Sequence, residues 1–321
     1  MAGGLAIVLS GGGAKGAFQV GVLKSLLGTH KVNFETVVGT STGAIQAAGV
    51  AQNDLAALTK FWTGLKNADD IYKKRGGTFL SIITGQPSLY NTDPLKGLLK
   101  AAIDEAKIKA SGKKLRIRVV NITNGQAITV AENASNIADW VYASCAMPFV
   151  FPPQPSKSVA GLEEQWVDGG VRDVTPLDVA FLERPRAILV VRASAPPKPE
   201  KPKKYKDLVA IGMRSVDILS NEVSENDLKN VNLINSLLTA RDSQLIALRG
   251  LGLTATQIDS VIRPFQNEIE RYRLVPVKVI APEQNFYDTL EFDPAGIAKA
   301  MDHGEKVAEK AWPDLKQFFG L

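Results

Sequence analysis

Apolar residues along the chain fall alternately into short continuous runs and into stripes with helical spacing. One run covers residues 5–9, a second covers 36–38, and a later one covers 186–191. Runs of this length are typical of strands buried on both faces of a parallel sheet. Between the first two runs, apolar residues recur at helical spacing over 17–27. This alternation predicts an α/β domain whose central sheet is mostly parallel.

Two patterns further along the chain predict additional elements. Residues 115–120 alternate between apolar and polar, and a second strand-like run follows at 126–130 after Asn124-Gly125. Two such runs joined by an Asn-Gly turn predict an antiparallel hairpin. Residues 136–144 have the spacing of a short helix, which should end before Pro148.

Segment 196–271 differs from the rest of the chain. It begins with prolines and lysines, which are typical of an exposed loop, and continues with a largely helical pattern. We expect a single domain over residues 1–321, in which 196–271 is a mostly helical segment that caps the functional site. No apolar run reaches 18 residues, so we expect no membrane-spanning helix.

The sequence Gly39-Thr40-Ser41-Thr42-Gly43 stands between the apolar residues 37–38 and a helical stretch of small residues. A strand, Gly-x-Ser-x-Gly and a helix in this order form the pattern of a nucleophile elbow. The turn is so tight that the serine backbone should be strained, and a Cβ at Gly39 or Gly43 should collide with a neighbouring strand or helix. The pattern therefore predicts that the Ser41 hydroxyl projects at the carboxyl end of its strand, where it can act as a nucleophile.

Glycines also follow the first strand, as Gly11-Gly12-Gly13-Ala14-Lys15-Gly16. Gly-x-Gly-x-x-Gly between a strand and a helix is the fingerprint of a dinucleotide-binding loop, so a nucleotide-binding module is one interpretation. That module requires an acidic residue at the end of the second strand, but Glu35 precedes the strand. In the other interpretation, the backbone N–H groups of this loop bind the oxyanion of an acyl-transfer reaction.

A candidate catalytic carboxylate also stands at the end of a predicted strand, later in the chain. Asp168 ends a predicted strand over 164–168 and is followed by Gly169 and Gly170. Two glycines leave the backbone free to turn, so that the carboxylate can point into a site. Ser41 and Asp168 are therefore candidates for a nucleophile and its base.

Composition excludes several classes of function. The 321 residues include 38 Lys and Arg against 33 Asp and Glu, and this mild net charge of +5 comes without a basic stripe that would suit nucleic acid. A lone cysteine, Cys145, excludes an internal disulfide and a cysteine-based zinc site. The N-terminal residues show no secretory signal, so we expect a cytoplasmic protein. The sequence also shows no cluster of metal-ligating residues, and we expect the protein to use no metal or other cofactor.

The three motifs, Gly11 to Gly16, Gly39 to Gly43 and Asp168 to Gly170, resemble in this order those of the patatin-like phospholipases, a family of Ser-Asp lipid acyl hydrolases. The resemblance extends over nearly the whole chain and is weakest over 196–270. It implies a three-layer α/β/α patatin-like fold and lipid or other ester substrates. Separately, the mild positive charge and the Lys- and Pro-rich loop near residues 198–206 are compatible with peripheral contact with an anionic membrane surface. The resemblance implies no obligate protein partner.

By resemblance, Ser41 is the nucleophile and Asp168 is its base. The resemblance also implies that the amides of Gly11, Gly12 and Gly13 form the oxyanion hole. The remaining glycines of the motifs shape the turns that hold these groups. They are Gly16, Gly39, Gly43, Gly169 and Gly170.

An ordinary aspartate, with a pKa of about 3.9, is a weak base for a serine hydroxyl. We therefore expect Asp168 to be desolvated and to have a raised pKa. The alternative within the same reaction class is a Ser41-Asp168-His303 triad. The other histidine, His30, follows the first helix and should lie at the opposite end of the sheet.

Overall fold

The computed structural model describes residues 3–75, 85–158, 160–198, 204–206, 208–269 and 273–321. Two sheets lie within these ranges, one of eight strands and one of two. The strands are β1 (Leu5–Leu9), β2 (Thr36–Thr40), β3 (Lys73–Lys74), β4 (Tyr90–Asn91), β5 (Lys114–Asn121), β6 (Ala127–Ala131), β7 (Gln154–Lys157), β8 (Glu163–Asp168), β9 (Ala187–Val191) and β10 (Val277–Ile280).

Helices connect most of these strands. They are α1 (Ala17–Leu23), α2 (Thr42–Ala51), α3 (Leu55–Thr63), α4 (Asp93–Ala102), α5 (Glu105–Ala110), α6 (Ile137–Cys145), α7 (Leu177–Leu182), α8 (Leu208–Gly250), α9 (Ala255–Ile269) and α10 (Pro294–Phe319). Helix α1 continues into a wider π-helical segment, Lys24–Thr29. Among the described residues, no helix is both long enough and apolar enough to cross a bilayer.

The main sheet is mostly parallel, as the sequence predicts. Its order is β10-β9-β1-β2-β5-β8-β7, with β6 also paired to β5. The first five strands of that order run parallel to one another. Strands β6, β7 and β8 pair in antiparallel fashion, and the hairpin predicted for residues 115–130 is present as β5 and β6.

Strand β5 is longer than β2, and two strands, β2 and β8, pair one after the other along the same edge of β5. Arg118, which pairs with Thr40 of β2, also pairs with β6 on its other side. Val119 pairs with both β6 and Asp168 of β8. Because β6 occupies one edge of β5 throughout, β2 and β8 must share the other edge. They run in opposite directions, so their carboxyl ends meet there, one residue of β5 apart.

Helices cover both faces of the sheet and give the predicted three layers. On β1, Ile7 packs with α1, α2 and α10 on one face, whereas Ala6 and Val8 pack with α7 and α8 on the other. All five residues of β1 are buried. Segment 196–271 is mostly helical where it is described, as α8 and α9; residues 199–203, 207 and 270–271 of that segment lie outside the described residues.

Candidate active site

The nucleophile elbow has the strain that the sequence predicts. Ser41 lies between β2 and α2 with φ 56° and ψ −129°, in a region that side chains with a Cβ avoid. A Cβ on Gly39 would overlap the Gly43 carbonyl at the start of α2. A Cβ on Gly43 would overlap the carbonyl oxygen of Leu9 in β1. Glycine at both positions lets the helix begin directly against the sheet.

Ser144 holds the backbone of this turn in place. The N–H of Ser41 donates to the Ser144 hydroxyl at 2.8 Å, and that hydroxyl donates to the Arg118 carbonyl of β5 at 2.7 Å. Ser144 is fully buried near the end of α6 and bridges the point at which β2 leaves β5. The sequence analysis did not single out Ser144. The only available signal was its position four residues before Pro148, near the predicted end of the helix.

Asp168 is fixed to the same segment of chain. Its backbone N–H donates to the Ala146 carbonyl at 3.0 Å, and its Oδ1 accepts the Gly170 N–H at 2.7 Å. The Ser41 side chain lies close enough to this carboxylate to lower its pKa. The structure therefore brings together the two residues that the sequence proposed as nucleophile and base.

Burial changes the chemistry of the Asp168 carboxylate. Desolvation raises the pKa of Asp168 to about 7, while the hydrogen bond from Gly170 and the nearby Ser41 side chain act in the opposite direction. The raised pKa expected from the sequence is thus confirmed. A carboxylate with this pKa is a far better proton acceptor near neutral pH than an exposed aspartate.

The glycine loop lies directly against Ser41. A Cβ on Gly11 would come within 3.2 Å of the Ser41 Cβ. The Gly11 N–H, however, donates to the Val174 carbonyl at 3.0 Å. This corrects the expectation for Gly11, because an amide that is already paired is not free to bind an oxyanion.

The next two amides of the loop are unpaired. Within the described part of the chain, the N–H groups of Gly12 and Gly13 have no hydrogen-bond acceptor. Gly13 has φ 58°, and a Cβ there would overlap the carbonyl oxygen of Thr289, so only glycine suits this position. The loop thus presents two adjacent N–H groups beside Ser41.

The remaining motif glycines mark close approaches between the parts of the site. A Cβ on Gly16 would overlap the Thr42 hydroxyl, where the glycine loop packs on α2. A Cβ on Gly169 would overlap the Arg118 carbonyl, which already accepts a hydrogen bond from Ser144. Gly170 lies against the Asp168 carboxylate, since a Cβ added to Gly170 would come within 3.0 Å of the Asp168 Oδ1.

Ser41 and Asp168 open into a cavity of about 410 Å³. This volume is within the range of small-molecule binding sites. Much of its wall is apolar, and these apolar side chains come from the loops that follow β5, α6 and β8 and from helix α8. The apolar lining includes Ile122, Met147, Phe149, Val174, Leu219 and Val223.

Polar contacts hold α8 over this cavity. Arg192, a buried residue of the cavity wall, forms an ion pair with Glu225 of α8 at 2.5 Å. Asp227, one helical turn from Ser224, accepts the Thr175 N–H at 3.0 Å, and the hydroxyls of Thr175 and Ser224 are 2.9 Å apart. Helix α8 is therefore attached to the segment that follows the Asp-Gly-Gly turn.

Neither histidine belongs to this site. His303 lies in α10 between the rings of Phe18 and Phe286, and its Nε2 accepts the Glu283 N–H at 3.4 Å. It does not line the cavity that contains Ser41 and Asp168. The triad alternative is therefore not assembled, because packing in the helical layer holds His303 elsewhere. His30 stacks on Trp312 at the amino end of the strands, as expected.

The nucleotide-binding alternative fails on the position of its acid. A Cβ on Gly4 would overlap the Glu35 carboxylate, so this carboxylate lies at the start of β1. The glycine loop follows the other end of β1. A ribose held at Glu35 and a pyrophosphate held at Gly11 to Gly16 would thus be separated by the length of the strand.

Comparison with known proteins points to one family. A sequence model of the family described as patatin-like phospholipase matches residues 7–181. The chain is similar to triacylglycerol lipase SDP1L of Arabidopsis thaliana, with 26% identity over 159 residues, which cover 46% of this chain and 20% of that protein. It thus spans about a fifth of that relative's length. Among solved structures it is similar to VipD from Legionella pneumophila, with 18% identity and a TM-score of 0.42, covering 97% of this chain and 66% of the other.

Proposed function

The chain belongs to the patatin-like phospholipase family, and from that membership we propose that it is a lipid acyl hydrolase that cleaves carboxylic esters through a Ser41-Asp168 dyad. The observation that carries the proposal is that Ser41 and Asp168 lie together in the wall of one largely apolar cavity, close enough for the Ser41 side chain to affect the pKa of the Asp168 carboxyl. A serine activated by a neighbouring base is the usual arrangement for nucleophilic attack on an ester.

In the first half of the reaction, the Ser41 Oγ attacks the ester carbonyl carbon and its proton passes to the Asp168 carboxylate. The tetrahedral intermediate then collapses, the bond to the leaving oxygen breaks, and protonated Asp168 gives its proton to the leaving alcohol. This leaves the acyl group esterified to Ser41. The pKa of Asp168, raised by burial to about 7, suits both transfers near neutral pH.

Water completes the reaction in the second half. It loses a proton to Asp168 while its oxygen attacks the acyl carbon, and the bond to the Ser41 Oγ breaks as the hydroxyl regains a proton. The fatty acid leaves and the dyad returns to its starting state. Each step uses only the two side chains and water, so we expect full activity in the presence of a chelator.

We assign the oxyanion hole to the N–H groups of Gly12 and Gly13. Both belong to the loop that touches Ser41, and neither has an acceptor among the described residues. In other hydrolases, the loss of one such donor costs about 3–4 kcal/mol of transition-state stabilisation. Lys15, also in the cavity wall, adds positive charge near the same place.

Helix α8 is the proposed cap of the site. Seven of the residues that line the cavity belong to α8 and lie between Val216 and Ser224. The apolar lining favours binding of an acyl chain, because each methylene group that leaves water for this lining contributes about 0.8 kcal/mol of favourable free energy. Carboxylic esters with an aliphatic acyl group are therefore the proposed substrates.

A fluorophosphonate probe tests this proposal, because it forms a covalent bond with an activated serine. We expect intact-mass analysis to show one label on the wild-type protein, mapped to Ser41, and none on Ser41→Ala. The wild type should also release fatty acid from phosphatidylcholine or triacylglycerol dispersions in EDTA. Absence of both labelling and hydrolysis would overturn the proposed function.

A further inference from the structure

Four exposed apolar side chains surround the mouth of the catalytic cavity. Ile122 follows β5, Phe149 follows α6, Val171 follows the Asp-Gly-Gly turn and Leu219 lies in α8. All four line the cavity, yet each remains about half or more exposed to solvent. We refer to them as the apolar rim. Four elements distant in sequence thus direct apolar groups to one opening.

Phe149 is the most exposed member of the rim, at 78%. Its backbone has φ 68°, a left-handed conformation that is rare and costly for a bulky residue. Two hydrogen bonds fix this conformation. The Leu89 N–H donates to the Phe149 carbonyl at 2.9 Å, and the Val150 N–H donates to the Met147 carbonyl at 3.2 Å. The next residue, Val150, is buried. The fold therefore maintains a strained turn that points an aromatic ring into solvent.

A ring that is this exposed contributes little to the core of the molecule. Single exposed apolar residues, such as Leu182 at 80% exposure, are ordinary. The rim differs because its members border one cavity, and contiguous apolar surface of this kind marks interaction sites. Arg172, next to Val171, is exposed and adds a positive charge suited to phosphate head groups.

We propose that the apolar rim is the surface by which the protein rests on a lipid aggregate, with Phe149 inserted among the acyl chains. The proposal rests on the proposed lipid substrate. A lipid that left its aggregate for the cavity through water would expose its acyl chains, whereas contact at the rim lets them pass from one apolar environment to another. The rim and the cavity wall share the same residues, so the path to Ser41 is continuous.

Sedimentation with vesicles tests this contact apart from the chemistry. The Ser41→Ala protein is mixed with phosphatidylcholine vesicles and with vesicles that contain one third phosphatidylglycerol. We expect it to sediment with both and more strongly with the anionic vesicles. Adding Phe149→Asn should lower the partition coefficient about tenfold, because burying a Phe side chain contributes at least that factor. Asn accepts a left-handed backbone, so this change adds no strain.

The matched control is Leu182→Asn, which removes an equally exposed side chain at the other end of the sheet. Leu182 precedes Glu183, whose carboxylate binds Lys114 and Arg116 near the start of β5. We expect this variant to bind vesicles within twofold of the parent, and Phe149→Trp to bind at least as well as the parent. Unchanged thermal unfolding of each variant confirms that the fold is intact.

Three results would overturn the proposal: no sedimentation of the parent, equal binding by Phe149→Asn, or a parent dimer without lipid that Phe149→Asn makes monomeric. The last would assign the rim to a protein interface. Vesicle binding by Ser41→Ala does not depend on turnover. Loss of the proposed function, seen as absent fluorophosphonate labelling, is therefore distinguishable from loss of the lipid contact.

Discussion

Thr40 and Asp168 pair with consecutive residues of β5, although the strands that carry them run in opposite directions. Ser41 follows Thr40 directly, so the proposed nucleophile and base leave the same edge of β5 one step apart. Their backbones are then tied to one helix end, Ser41 through the Ser144 hydroxyl and Asp168 through the Ala146 carbonyl. Main-chain geometry therefore determines the dyad, and the following predictions test its parts.

Removal of either member of the dyad should abolish ester hydrolysis. We expect Ser41→Ala and Asp168→Asn to lower kcat/KM for p-nitrophenyl butyrate by at least ~10³-fold, as for other nucleophile and base substitutions. His303→Ala is the matched control and should remain within about threefold of the wild type, since His303 packs between Phe18 and Phe286. A folded His303→Ala protein as inactive as Ser41→Ala would restore the triad alternative.

The pKa of Asp168 predicts how activity depends on pH. The base must be ionised, and burial raises its pKa to about 7. We therefore expect kcat/KM to fall about tenfold per pH unit below pH 7 and to level off above pH 8. Initial rates between pH 5 and 9 measure this. A profile that is flat down to pH 5 would mean that Asp168 is not the proton acceptor.

The same pKa shift predicts a change in stability with pH. The pKa of Asp168 is higher in the folded state than the ordinary aspartate value of 3.8, so folding favours the protonated carboxyl. Its contribution is present below about pH 4 and is lost as pH rises towards and through 7. Asp168→Asn keeps a neutral side chain at all pH values. We therefore expect it to raise Tm at pH 8 and to raise it by a smaller amount at pH 5.

Asp54 provides a control, because its pKa is shifted in the opposite direction to that of Asp168. Its hydrogen bond with Lys107 is the largest of the causes that lower the pKa of Asp54. Its charged form therefore stabilises the fold, so Asp54→Asn should lower Tm slightly at pH 8, where Asp168→Asn raises it. Thermal unfolding of both variants at the two pH values makes the comparison. A lower Tm for Asp168→Asn at pH 8 would contradict the prediction.

Ser144 should act as a positioning residue for the nucleophile. Ser144→Ala removes the acceptor of the Ser41 N–H and leaves two buried groups, that N–H and the Arg118 carbonyl, without their partner. We expect kcat to fall at least ~10-fold with little change in KM, because a loosened elbow misplaces the attacking oxygen without altering the cavity. Steady-state kinetics with p-nitrophenyl esters separates the two constants.

Ser25→Ala is the matched control for Ser144→Ala. Ser25 is also buried and helical, and its hydroxyl donates to Glu309 at 2.7 Å, away from the cavity. Ser144→Ala should destabilise the protein by about 1–3 kcal/mol, the cost of leaving buried partners unsatisfied, whereas Ser25→Ala should cost about 0.5–1.5 kcal/mol, because water can replace the hydroxyl at the exposed Glu309. Only Ser144→Ala should lower kcat. Equal loss of activity in the two variants would reduce the role of Ser144 to stability alone.

Glycine substitutions should separate close packing from simple helix propensity. Gly43→Ala places a Cβ onto the Leu9 carbonyl, so we expect a loss of more than ~3 kcal/mol or no folded protein. Gly97→Ala, in α4, meets nothing within 4 Å and should instead stabilise the protein by about 0.5–1 kcal/mol. Urea unfolding measures both. A Gly43→Ala protein as stable as the wild type would show that α2 can move away from β1.

Much of the site could be predicted because single short segments encode it. Gly39 and Gly43 indicate a turn that only glycine permits, and the two glycines after Asp168 indicate a second tight turn that directs its carboxylate into the site. The raised pKa of Asp168 followed from what a base must do. The parallel strands were visible as apolar runs, since burial on both faces removes polar residues.

The features that the sequence did not predict depend on distant parts of the chain. No local pattern tells that β8 shares an edge of β5 with β2, because register is a property of the assembled sheet. Ser144 looks like any helical serine until Ser41 and Arg118 are placed beside it. The Gly11 amide was misassigned for the same reason, since its acceptor, Val174, lies far away in sequence.

The meeting of β2 and β8 on β5 has a consequence for how this chain tolerates sequence change. The spacing of Ser41 and Asp168 is measured along the main chain of β5, so exchange of its side chains leaves that spacing unaltered. An extra residue between Arg118 and Val119 would instead move the two strand ends apart by ~3.3 Å. Substitutions can therefore accumulate in β5, whereas a single insertion there would end the activity while the sheet remains paired on both sides of it.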